Sequence, residues 1–111
     1  MGASLLEYQV LLSLASGALH GYAIAERVAA ESGGALRPRA GSLYRVIARL
    51  MSEGLVSESE AGGAEAPHPG RARRYYALTA AGRRTLAEEA RRLKQVAAVA
   101  EKRLGLARGR S

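Results

Sequence analysis

The chain has 111 residues, enough for one domain, and its 48 % apolar content is ordinary for a folded protein. It contains no cysteine, which excludes a disulfide framework, thiolate metal sites and cysteine nucleophiles. The net charge of +7 is unevenly spread: residues 1–60 carry five Arg against six acids, and residues 61–111 carry twelve cations against four acids.

Ser4-Leu5-Leu6-Glu7 has the spacing of a capping box, with Ser4 as N-cap and Glu7 reaching back. Leu5, Tyr8, Leu11, Leu12 and Ala15 follow at helical spacing, and Gly17 is expected to end this first helix. A second helix is predicted over 21–31, with Tyr22, Ile24, Ala25, Val28 and Ala29 available for burial and Gly33-Gly34 as its stop. Arg37-Pro38-Arg39 reads as a linker, because a residue before proline avoids the helical region. A third helix over 40–53 carries the stripe Leu43, Val46, Ile47, Leu50 and Met51, and Gly54 closes it. The period then falls from 3.6 to 2: residues 55–60 and 73–78 read as the strands of a hairpin around a loop rich in Gly and Pro. Thr79 caps a last helix that runs to Leu104, about 37 Å long at 1.5 Å per residue.

This order predicts a mainly α fold with a β-hairpin wing: a winged helix-turn-helix over 1–78, a C-terminal dimerisation helix over 79–104, and a frayed tail over 105–111. The core has neither Phe nor Trp, so its area is limited and a partner chain is expected to supply burial. Leu86, Ala90, Leu93, Ala97, Ala100 and Leu104 recur at 4-3-4-3-4 spacing, the seam of one helix against another. The first residues lack a basic flank followed by a long apolar run, so no signal peptide is expected. The longest strictly apolar stretch, 96–100, is far too short to span a bilayer, so no membrane role is expected.

In such a fold the third helix enters the major groove and the hairpin touches the backbone beside it. The face opposite the apolar stripe offers Ser42, Tyr44, Arg45, Ala48, Arg49 and Ser52. Small residues permit close approach, and each Arg can fork onto guanine O6 and N7. The alternative for the same residues is an ordinary solvated face. Arg71, Arg73 and Arg74 in the hairpin, and Arg37 and Arg39 before the third helix, are candidates for phosphate contact; charge on an exposed strand also discourages aggregation, and both roles are compatible. The cations of the last helix need no such role, since Glu88 and Arg92 sit at i, i+4 in the favourable order for a salt bridge. His20 reads as a cap or packing residue. With no Cys and no paired His spacing, neither a metal site nor a cofactor is expected, and no catalytic constellation stands out.

Specific residues carry a resemblance to the PadR-like transcriptional regulators. They are Leu6-Glu7-Tyr8, Val10-Leu11-Leu12-Ser13-Leu14, His20-Gly21-Tyr22-Ala23-Ile24, Gly41-Ser42-Leu43-Tyr44, Leu50, Gly54-Leu55-Val56, Arg74-Tyr75-Tyr76-Ala77-Leu78-Thr79 and Gly82. With a single helix after the wing, the chain resembles the short subgroup of that family. The resemblance implies a cytoplasmic repressor that binds double-stranded DNA as a homodimer at an inverted repeat. It implies a dimer interface made mostly by the last helix with help from the first, and DNA contacts at Ser42, Tyr44 and the wing arginines. Tyr22 and Tyr76 would be structural. Some members release DNA when a small hydrophobic or phenolic effector binds near the interface. Two departures matter. Arg39-Ala40 stands where many relatives have Ser-Pro, which removes an N-cap hydroxyl. The absence of Trp removes the aromatic sandwich that drug-binding members use. The rival function is a winged-helix protein-interaction module without sequence-specific DNA binding.

Overall fold

The computed structural model describes residues 4–59 and 74–106. The order is α1 (Leu5–Ser13), β1 (Leu19–His20), α2 (Gly21–Glu31), α3 (Ala40–Ser52), β2 (Val56–Ser59), β3 (Tyr75–Leu78) and α4 (Ala80–Leu104). Each predicted helix is present, and the capping box is complete: the Glu7 N–H donates to Ser4 Oγ at 3.1 Å and the Ser4 N–H donates to Glu7 Oε1 at 3.0 Å. His20 caps α2, its Nδ1 accepting the Ala23 N–H at 3.2 Å. Thr79 caps α4, its Oγ1 accepting the Gly82 N–H at 2.9 Å while its hydroxyl donates to the Gly54 carbonyl at 2.6 Å. α3 opens on Arg39 with no side-chain cap, as the missing hydroxyl at that position leads one to expect. Gly54, at φ 77°, ends α3 in a left-handed turn: its N–H donates to the Met51 carbonyl and that of Leu55 to the Leu50 carbonyl.

Several expectations need correction. α1 ends at Ser13, short of Gly17, because i→i+3 bonds from Leu14 to Leu11 and from Ala15 to Leu12 tighten the chain before the glycine. It buries Glu7, Val10, Leu11 and Ser13, with Leu14 buried at its C-cap, whereas Leu5 is exposed. α1 is apolar nearly all round, so periodicity could not choose its face. Tyr22 and Met51 also lie outside the core. The hairpin strands are shorter than predicted, and β3 pairs antiparallel with β2 (Val56↔Leu78 to Ser59↔Tyr75) and with the unpredicted β1 (Leu19↔Tyr76, His20↔Tyr75). Two residues carry too little pattern to announce a strand.

The core lies where α1, α2 and α3 meet the sheet. Val10, Leu11, Leu14, Ile24, Val28, Leu43, Ile47, Leu50, Leu55, Val56 and Tyr76 form one buried cluster. Ala81, Leu86 and Leu78 close it from the side of α4. Arg83 ties α4 to the end of α1, donating to the Ala15 carbonyl at 3.3 Å. Arg92 pairs with Glu89, at 2.8 Å, rather than with the expected Glu88; the i, i+3 partner is the buried carboxylate.

Candidate nucleic-acid interface

With Leu43, Ile47 and Leu50 buried, a helix of 3.6 residues per turn turns Gly41, Arg45, Ala48 and Ser52 directly outward. All four are exposed. Gly41 and Ala48 add almost no bulk, so a groove wall can approach the backbone there. Arg45 reaches back along this face to within 3.5 Å of the Ser42 hydroxyl. Tyr44 flanks the face on one side, and Ser42 and Arg49 on the other.

The Tyr44 flank is braced from below. Its hydroxyl lies over Gly21, in the space a Cβ would take, so a larger first residue of α2 would displace the Tyr44 ring from this position. Tyr44 is 46 % exposed, which leaves part of the ring accessible. The buried Tyr76 phenol lies within electrostatic reach of Tyr44, Arg74 and Glu58, and burial pushes its pKa up. Arg74 lies immediately before the start of β3. Arg74 is exposed there and pairs with Glu58 across the sheet at 3.4 Å.

The other flank carries an ion-pair cluster. Arg49 Nε lies 3.3 Å from Glu7 Oε2 and 3.4 Å from Glu53 Oε2. The Glu7 side chain is only 9 % exposed, while that of Arg49 is 65 % exposed. An open groove between the start of α1 and α3 is lined by Ser4, Leu6, Glu7, Ser42, Arg45 and Arg49. Arg37 and Arg39 are exposed in the segment leading into α3 and line a shallow depression that continues from Ser42. Ser42, Tyr44, Arg45, Arg49, Arg37, Arg39 and Arg74 thus stand on or beside α3 and the sheet, and Arg71 and Arg73 lie outside the described residues.

The family model described as "Transcriptional regulator PadR-like family" matches residues 10–88, most of the chain. The chain belongs to the PadR-like family. A 37.1 kDa protein in transposon TN4556 of Streptomyces fradiae is 43 % identical over 81 residues, covering 73 % of this chain and 21 % of that protein. The chain therefore spans about a fifth of the length of that relative. A PadR family transcription regulator from Clostridium difficile is 20 % identical with a TM-score of 0.74, over 91 % of this chain and 99 % of the other. PadR of Bacillus subtilis, solved in complex with operator DNA, is 24 % identical with a TM-score of 0.65, over 77 % of this chain and 47 % of that one. At these identities the structures establish the shared winged-helix fold.

In this PadR-like chain the six seam positions of α4 divide. Leu86 packs against the chain's own core, whereas Ala90, Leu93, Ala97, Ala100 and Leu104 are exposed. The face that Gly82, Leu86 and Glu89 bury continues without a break into Leu93, Val96, Ala97, Ala100 and Leu104. Val96 is 55 % exposed and Leu104 71 %. Among the described residues no helix is long and apolar enough to cross a membrane. Sequence reasoning missed the second role of Glu7. The sequence held no signal for it, because the face of α1 that buries Glu7 with Val10 and Leu11 could not be chosen from the pattern.

Proposed function

We propose that this PadR-like chain is a cytoplasmic, sequence-specific repressor that binds an inverted-repeat operator as a homodimer through α3, with residues 79–104 as its dimerisation helix. The observation that carries the reading is the outward face of α3, where Arg45 stands among Gly41, Ala48 and Ser52 on a helix braced by Tyr44. In this reading Arg45, with Ser42, Tyr44 and Arg49 beside it, meets base edges. Arg37, Arg39, Arg74 and the wing residues Arg71 and Arg73 hold phosphates. The exposed continuation of the α4 stripe supports a second copy as partner, and two-fold symmetry then sets two half-sites roughly one helical turn, 34–36 Å, apart.

Selection from a pool of randomised duplexes tests this. The expected product is an inverted repeat with that spacing. A pool that never enriches any sequence is the result expected of a protein-interaction module. On the selected duplex, Arg45→Ala should cost about 1–3 kcal/mol and relax preference at one base position of each half-site. An equal loss on all sequences would move Arg45 to the phosphate-contacting group.

A further inference from the structure

We infer that Glu7 is a positioning residue for sequence reading: its buried carboxylate fixes the guanidinium of Arg49 at the edge of the α3 face. The inference rests on the DNA-binding reading of α3. One carboxylate performs two tasks. Oε1 closes the α1 capping box by accepting the Ser4 N–H at 3.0 Å, and Oε2 faces Arg49 Nε at 3.3 Å. The cap pins Glu7 to the first turn of α1, and burial to 7 % exposure leaves the residue little room to move. Glu53 approaches the same Nε at 3.4 Å from the end of α3.

Arg49 Nε donates to Glu53 Oε2 and faces Glu7 Oε2 from α1, an arrangement that restricts the direction of the guanidinium. A fork of fixed direction can discriminate one base; a free one follows phosphates on any sequence. A side chain of arginine length loses much rotamer freedom on binding, and holding it beforehand removes part of that cost. Glu7 also offsets one positive charge beside the groove, which weakens sequence-independent attraction to DNA. The charge effect weakens the phosphate attraction of both duplexes alike, so the ratio of operator to non-specific binding is set by the positioning effect.

Glu7→Gln separates the two tasks, because glutamine also closes a capping box but carries no charge for Arg49. Affinities of wild type, E7Q, R49A and E7Q/R49A for the selected operator and for a scrambled duplex form the test, with melting temperatures as the control for folding. E7Q is expected to lower the operator-to-scrambled ratio roughly tenfold, the scale of one lost base contact. Binding to the scrambled duplex should hold or tighten. In the R49A background the same change should leave the ratio unaltered, since nothing remains to be positioned. An unchanged ratio for E7Q overturns the inference. So does a ratio that falls equally with and without Arg49, or a uniform weakening on both duplexes that tracks a lower melting temperature. A wild-type protein without any operator preference overturns the parent reading of α3 instead, and this one with it.

Discussion

Replacing Leu93 and Val96 together by glutamate should yield a folded monomer that binds its operator about a hundredfold or more less tightly than wild type. Neither side chain belongs to the chain's buried core: both stand on the half of α4 that runs past Glu89, where every residue from Ala90 to Leu106 is exposed. Carboxylates there cost the isolated chain little, because surface substitutions away from specific contacts stay within roughly half a kcal/mol. In the proposed dimer the same positions face the partner helix, and burying unpaired charges opposite a second set of like charges is strongly unfavourable. Separation of the subunits then removes the linkage between half-sites, which is worth about 10²–10⁴ in apparent affinity. Light scattering gives the mass, circular dichroism the fold, and titration of the operator the binding. A double variant that stays dimeric at micromolar concentration would place the interface elsewhere on the chain.

Gly82→Ala should destabilise the fold by about 3 kcal/mol or more, the upper range for overpacking. Gly82 sits in the first turn of α4, and a Cβ there would overlap the carbonyl oxygen of Leu55 and come within 3.2 Å of Leu78 Cδ2. That carbonyl has no freedom to withdraw. It accepts the Thr79 N–H at 3.1 Å, and the Thr79 hydroxyl holds the adjoining Gly54 carbonyl at 2.6 Å. Relief requires α4 to lift from the core, which uncovers Ala81 and Leu86 and breaks the Thr79 bonds to Leu55 and Gly54. Thr79→Ala loses the cap and the Gly54 bond without any clash, and should cost about 1–2 kcal/mol. Denaturant titration of both variants gives the comparison. A Gly82→Ala protein as stable as wild type would mean that α4 docks more loosely than the fold described above.

The course of the chain was largely legible in its sequence because several local signals agreed. Ser4 and Glu7, Thr79, and Gly54 each announced a helix boundary through one side chain or one missing side chain, and the structure places each boundary there. Apart from the end of α1 and the exposure of Tyr22, the expectations that failed depended on long-range contacts. The face of α1 could not be chosen while Leu5, Leu6, Val10, Leu11, Leu12 and Leu14 covered most of the helix. β1 exists because β3 pairs with Leu19 and His20, a fact held in the partner strand and not in two residues. Tyr22 looks like core by residue type, yet it is exposed and its phenol faces the carboxylate of Glu26, which raises its pKa.

The candidate site was legible in the same partial way. Face geometry on α3 selected Arg45 and Arg49, but spacing alone could not show that Arg49 is shared by Glu7 and Glu53 while Arg45 reaches only toward Ser42. Partners 42 residues apart in sequence leave no periodic trace. The same holds for Gly21, whose open side is filled by the Tyr44 ring from another helix.

The central claim is that α3 of a two-fold dimer reads sequence. Its most direct test is the affinity of the purified protein for the selected inverted repeat and for a scrambled duplex of equal length, at about 150 mM salt, with the stoichiometry measured in the same titration. A preference of about a thousandfold or more, with two chains per duplex, is the predicted result. Equal, weak and salt-sensitive binding to both duplexes would contradict it.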